Sequence, residues 1–198
     1  MMDPKKLCFQ CMETLETDNQ RCPVCGYNNQ IRTNGNGKLP FSIVKNRYII
    51  GKALGRGGFG ITYIGMDLVL ERRIAIKEYF PSELISRMEG QSILVPHDEG
   101  SRLAFEKGLE RSMLEARTIA KLNSVPDTVN VYDVFRANAT LYIVMEYIQG
   151  ETLNEKVKHA GGRIAPAVLM EMLHPVFTAL TQVHAQGIIH RDVSPDNI

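Results

Sequence analysis

His190-Arg191-Asp192-Val193-Ser194-Pro195-Asp196-Asn197 precedes the last residue of the chain. The run sets an acid, Asp192, and an amide, Asn197, five positions apart behind a His-Arg pair. A carboxylate can take up a proton and a neutral amide oxygen can face a cation, so the pair has the parts of a group-transfer site. Its weight comes from what precedes it. A glycine-rich turn from Gly55 to Gly60 and a lysine, Lys77, at the end of an apolar segment stand upstream in a fixed order.

Composition sets outer bounds. The chain has 198 residues, 44% hydrophobic and 23% charged, enough to bury a core and to form one or two domains. Net charge is +1 without runs of like charge, which argues against a nucleic-acid track or a membrane-surface patch. No stretch approaches the roughly 20 apolar residues that a membrane span needs, and residues 1–19 lack the apolar core of a signal peptide. A cytoplasmic location is expected, with neither a nucleic-acid partner nor a membrane segment.

All four cysteines fall in the first 25 residues, as Cys8-x-x-Cys11 and Cys22-x-x-Cys25 with ten residues between the pairs. Each pair can form a tight knuckle, and two knuckles can complete a tetrahedral four-thiolate site with metal to sulfur distances of about 2.3 Å. In Cys22-Pro23-Val24-Cys25-Gly26, proline sets one turn dihedral and glycine permits the left-handed one. Leu7, Phe9, Leu15, Val24 and Tyr27 are too few to fold the segment unaided, so a metal would supply most of its folding free energy, on the order of 10 kcal/mol. Residues 5–28 resemble the zinc-ribbon family, which implies Zn²⁺ on Cys8, Cys11, Cys22 and Cys25. Two surface disulfides and an iron site of the rubredoxin kind are the alternatives.

Residues 28–40 are rich in Asn and Gly and nearly free of apolar groups, so residues 29–46 are expected to be a flexible linker. From Tyr48 the pattern becomes strand-like, and β-branched and aromatic residues follow the Gly55-Arg56-Gly57-Gly58-Phe59-Gly60 turn. A dinucleotide-binding turn would open a helix there, and a Walker-type loop would continue with Lys and Ser or Thr, whereas Ile61 follows Gly60. The turn therefore closes a hairpin whose bare amides can approach phosphate oxygens.

Arg73-Ile74-Ala75-Ile76-Lys77 reads as a short strand ending in a cation that needs a carboxylate partner. A helix is expected over residues 101–122, carrying Glu106, Glu110 and Glu115, and helical spacing does not choose among them. Between Lys77 and the helix, residues 78–99 are expected to form a short helix and a hairpin, with 93–95 as one strand and no evident chemistry. Residues 129–135 and 141–147 read as two antiparallel strands. Residues 166–186 read as a helix with Pro166 in its first turn, Pro175 inside it and His184 in the core.

Taken together, the Gly55–Gly60 turn, Lys77, the Met145-Glu146-Tyr147-Ile148 segment and the His190–Asn197 run resemble the eukaryotic-type serine/threonine protein kinase family over residues 48–198. That resemblance implies an α+β, two-lobed kinase-like fold after the zinc ribbon of residues 5–28. Residues 47–198 would be the kinase domain, with a β-rich N-lobe at 47–148 and the start of a helical C-lobe at 149–198. It implies transfer of the γ-phosphate of ATP to protein hydroxyls with Mg²⁺, and a zinc ribbon serving regulation or a protein partner. Asp192 would be the base, Asn197 a Mg²⁺ ligand, and Lys77 the phosphate-holding cation, paired with Glu115 or, failing that, Glu110. Leu54, Gly55, Arg56, Gly57, Gly58, Phe59, Gly60, Thr62 and Ala75 would contact ATP, together with Met145 behind the adenine and the backbone of Glu146 and Ile148.

Three residues depart from the family pattern. Thr62 stands for Val and Val193 for Leu, both minor. Ser194 stands where serine/threonine kinases usually carry a Lys against the γ-phosphate, and a hydroxyl cannot supply that charge. The family continues past this point with a metal-binding aspartate and an activation segment, so residues 1–198 by themselves are expected to transfer no phosphate. The alternative function is a pseudokinase or zinc-dependent scaffold without catalysis.

Overall fold

Apolar residues on successive strands build most of the fold, with consecutive buried positions in the strands Tyr48–Gly57 and Gly60–Asp67 placing both faces of those strands in apolar clusters. The computed structural model describes residues 3–16, 21–30, 42–88 and 91–198. Its strands are β1 (Ile43–Val44), β2 (Tyr48–Gly57), β3 (Gly60–Asp67), β4 (Arg72–Tyr79), β5 (Ile85–Arg87), β6 (Leu94–Pro96), β7 (Val131–Ala137) and β8 (Thr140–Glu146). Six of them form one antiparallel sheet in the order β1-β2-β3-β4-β8-β7, while β5 and β6 pair as a separate hairpin. The chain divides into two compact units. One comprises Met1–Ile119 with Val131–Tyr147, the other Ala120–Asn130 with Ile148–Ile198.

In the first unit, Ile50, Ile61, Tyr63, Ile74, Ile76, Tyr142 and Val144 lie buried on one side of the sheet with Phe105 and Leu109 of helix α1 (Glu99–Ala120). Tyr79 stacks on Phe105 at 5.4 Å between ring centres. Each fully buried side chain of this size contributes about 1.5–3 kcal/mol, which is what holds the helix to the sheet. The helix starts two residues earlier than the sequence pattern suggests because the Asp98 carboxylate accepts the Ser101 amide at 2.7 Å. The β5–β6 hairpin matches the expected hairpin, with β6 one residue later than the expected strand, but turns rather than a helix precede it.

Asn29 opens the expected linker, yet it is fully buried in the cysteine segment. Its Oδ1 accepts the Phe9 amide at 2.8 Å, and its Nδ2 donates to the Leu7 carbonyl at 3.1 Å. At the other end of that stretch, Ile43 and Val44 pair with Ile49 and Tyr48. Residues 31–41 of the expected linker lie outside the described residues.

In the second unit, α2 (Leu153–His159) is followed by α3 (Pro166–Ala185), with Pro166 in the first turn and Pro175 within the helix. Ala179 and Val183 of α3 pack with Leu122, Val125 and Ile188. His184, one position past Val183 and so turned by about 100°, is exposed rather than packed in the core.

Candidate active site and metal centre

Gly57 and Gly60 face each other as the closing pair of the β2–β3 hairpin, with Gly58 and Phe59 at its tip. Two kinds of glycine are found here. A Cβ on Gly60 would collide with the Glu78 carbonyl, so that position needs glycine for the fold itself. At Gly55, Gly57 and Gly58 a Cβ would meet nothing within 4 Å, and none of the three has a positive φ. Nothing within the described chain accounts for glycine at those three positions. The bare backbone there leaves room for an external group to approach.

Cross-strand register then sets the wall behind the turn. Gly55 opposes Thr62, Thr62 opposes Lys77 and Lys77 opposes Ile143; one step along, Ile64, Ala75 and Met145 form a parallel row. Paired residues project to the same side of a sheet. Thr62, Ala75, Lys77 and Met145 therefore share one face, as a common ligand requires. Leu54 is the extra residue of a bulge between the Ala53–Tyr63 and Gly55–Thr62 pairs and is half exposed. Arg56 and Phe59 are exposed around the turn. Glu146 ends β8 and Ile148, in the second unit, is exposed.

The ion pair that the resemblance implies between Lys77 and Glu115 is not formed among the described residues. Lys77 and Glu115 are both exposed, and no ion pair joins Lys77 to Glu115 or to Glu110 among the described residues. α1 buries Phe105, Leu109 and Ala116, a stripe that leaves both glutamates outside the core contact.

In the second unit the His190–Asn197 run forms a compact loop. The Asn197 side-chain Nδ2 donates to the Asp192 carbonyl and to its Oδ2, both at 3.0 Å. Arg191 takes a left-handed φ of 64°, and the Asp192 amide donates to His190 Nδ1 at 3.3 Å. α2 anchors the loop: the Leu153 amide donates to the Ile198 carbonyl at 2.7 Å, the Asn154 amide to Pro195 at 3.0 Å, and Asn154 Nδ2 to Asp196 at 2.6 Å. α2 itself is held by a capping box between Thr152 and Glu155. The Asn197 side-chain nitrogen is thus committed to Asp192.

The four cysteines converge. Their sulfurs all lie within 4.8 Å of one another, with Cys8–Cys25 and Cys11–Cys22 at 3.6 Å, and all four are free of disulfides. A tetrahedron with bonds of about 2.3 Å has edges of about 3.8 Å, so the donor set fits a Zn²⁺-sized ion. Burial pushes the Cys8 and Cys11 thiols up. At Cys22 burial also acts upward, but the amides of Cys25 and Val24 together with hydrogen bonds from the Cys11 and Cys25 thiols outweigh it and bring the thiol down to about 7. The thiolate is the metal-binding form.

One charged group was missed by the sequence reading. Glu78, next to Lys77 but on the opposite face of β4, is fully buried. Arg87 of β5 donates to its Oε1 at 2.6 Å, the Tyr142 hydroxyl donates to the same oxygen, and the Tyr63 hydroxyl donates to Oε2 at 2.9 Å. Its position two and four residues from the buried Ile76 and Ile74 was the signal available.

A family model described as a protein kinase domain matches residues 48–198. Among curated relatives, the serine/threonine-protein kinase PknL of Mycobacterium tuberculosis is 32% identical over 81% of this chain and 35% of its own length. PrkC of Bacillus subtilis is 29% identical over 78% of this chain and 21% of its own, and PknB of Mycolicibacterium smegmatis 37% over 78% and 22%. The chain thus spans about a third or less of the length of these curated relatives. A solved structure titled PpkA-294 apo form superposes with a TM-score of 0.76 at 34% identity, covering 83% of this chain and 57% of the other. The β-rich first unit and the start of a helical lobe are those of the protein kinase fold, and the chain belongs to the protein kinase domain family.

Proposed function

We propose that this chain carries the nucleotide-binding lobe and catalytic loop of a serine/threonine protein kinase that transfers the γ-phosphate of ATP to protein hydroxyls. The single observation that carries this reading is the hydrogen-bonded Asp192–Asn197 pair. Asn197 holds Asp192 Oδ2, leaving Oδ1 to accept the proton of an incoming serine or threonine hydroxyl as its oxygen bonds to the γ-phosphorus and the bond to the β-phosphate oxygen breaks. The Asn197 oxygen suits Mg²⁺, which when bound neutralises charge on the phosphates. The bare turn at Gly55, Gly57 and Gly58 cradles phosphate, Lys77 pairs with it, and Ala75 and Met145 flank the adenine.

Pairing of Lys77 with Glu115 is assigned to the nucleotide-bound state. Ser194 leaves the γ-phosphate without the cation usual in the family, so turnover is slower or another cation serves. Zn²⁺ on the four cysteines, cytoplasmic location and a protein partner or regulatory role for the ribbon belong to the same reading, which the free, converging thiols support. Among the described residues no helix is long and apolar enough to cross a membrane.

The test is phosphorylation of a protein acceptor by the full-length protein and by Asp192→Ala and Lys77→Ala variants. Each variant is expected to lose activity by at least about 100-fold, the scale of a lost general base or phosphate clamp. Equal signal in all three would replace catalysis with the scaffold reading.

A further inference from the structure

Cys11 is followed by Met12, which takes a left-handed φ of 59° and is buried to 1% exposure. Its side chain does not stay within the cysteine segment. Met12 and Leu7 form one cluster with Ile49 of β2 and with Ile64 and Met66 of β3, and Tyr147 packs against that cluster. Phe9, between the first two cysteines, accepts the Lys52 amide at 2.9 Å through its carbonyl, and Gln10 accepts Lys52 Nζ at 2.9 Å. Glu13 pairs with Arg73 at 2.5 Å. Gly51 is the contact that permits all this. A Cβ there would collide with the Met12 methyl and stand 2.7 Å from the Phe9 carbonyl.

These contacts come from one knuckle and land on one face. Ile64 is the register partner of Ala75, which in turn faces Met145; Met66 is the partner of Arg73. The cysteine segment therefore covers the continuation of the same sheet face that carries Thr62, Ala75, Lys77 and Met145. Tyr147, two residues after Met145, lies between Glu146 and Ile148, the residues assigned to the adenine.

We propose that the ribbon is a positioning element of the nucleotide site: metal on the four cysteines holds the knuckle that packs Met12 and Leu7 against this face and against Tyr147, so that metal and nucleotide bind cooperatively. The proposal rests on the ATP and Zn²⁺ readings above. Without metal, the short segment has too little core to keep Phe9, Gln10 and Met12 in place, and Ile49, Ile64 and Met66 lose their cover. A coupling of this kind is reciprocal.

The experiment measures the Kd of Mg-ADP for the full-length protein, zinc-loaded and after chelation, alongside metal content. Chelation is expected to weaken ADP binding by about fivefold or more, the lower range for coupled sites, and saturating ADP to slow zinc loss correspondingly. Gly51→Ala keeps every cysteine and every assigned nucleotide contact. It is expected to retain one zinc, bind ADP more weakly, raise KM for ATP with kcat kept, and no longer respond to chelation. Should that variant fail to fold, Met12→Ala with Glu13→Gln removes the docking contacts without a clash and is expected to reduce the coupling. Both ligands binding the wild type with a Kd indifferent to chelation overturns the coupling alone. Absence of zinc or of ADP binding overturns the functional reading and the coupling with it.

Discussion

Arg87→Met tests whether the β5–β6 hairpin is tied to the sheet by a buried charge pair. The Arg87 and Glu78 side chains are 3% and 0% exposed, and their 2.6 Å contact is shared with the hydroxyls of Tyr63 and Tyr142. Removing one partner of such a pair leaves a charge without compensation and costs about 3–5 kcal/mol. Two tyrosine hydroxyls remain on Glu78, and Met keeps the apolar stem beside Phe80, so the lower end, about 3 kcal/mol, is expected. At roughly 2–4 °C per kcal/mol for a chain of this size, that is a Tm drop of about 6–12 °C.

The assay is urea unfolding at pH 7 followed by tyrosine fluorescence. The chain has no Trp, and its seven Tyr all fall in the first unit, so the signal reports that unit. Glu78→Gln should cost a similar amount by stranding Arg87, while Arg87→Met with Glu78→Gln should cost about 2 kcal/mol less than the two single changes added together. A single-variant cost under about 1 kcal/mol, or strict additivity, would refute the reasoning.

Two further outcomes are open to measurement. Burial works to raise the pKa of Asp67, but the Arg47 fork at 2.9 and 2.7 Å and the Val69 and Leu70 amides hold it below the usual carboxylate range. A depressed folded-state pKa contributes stability that is present above the unfolded value of about 3.9 and lost as pH falls below it. The urea midpoint should decline below about pH 4, and Asp67→Asn should flatten that decline; an unchanged slope would remove Asp67 as its source. Cys22→Ser should take metal content from about one zinc per chain to near zero by elemental analysis, since one lost thiolate removes a large part of a binding free energy on the order of 10 kcal/mol. Full retention of metal in that variant would argue against a four-thiolate site.

Much of the candidate site could be read from residues close in sequence. The Gly55–Gly60 turn is a hairpin because β-branched residues follow it, and the cysteine pairs converge because each C-x-x-C folds on itself. Local reading also had its misses. Thr152-x-x-Glu155 spells a capping box in the sequence, yet α2, the helix that pins the His190–Asn197 loop, was not expected from it. The choice of Glu115 was not legible in the same sense, because helical spacing orders residues around an axis without saying which way the helix faces, and here Glu115 points to solvent.

The amino-acid sequence by itself determined the pieces whose geometry is closed within a few residues: the knuckles, the glycine turn, the strand bearing Lys77 and the Asp192–Asn197 loop. Only the tertiary structure decided which distant segments meet. Asn29 closes on Leu7 and Phe9, Arg87 and Tyr142 converge on Glu78, and Met12 settles over Gly51. Those contacts join residues from 9 to 64 positions apart, and they are selected by shape, burial and charge compensation in the packed core. Spacing along the chain carries no record of that selection.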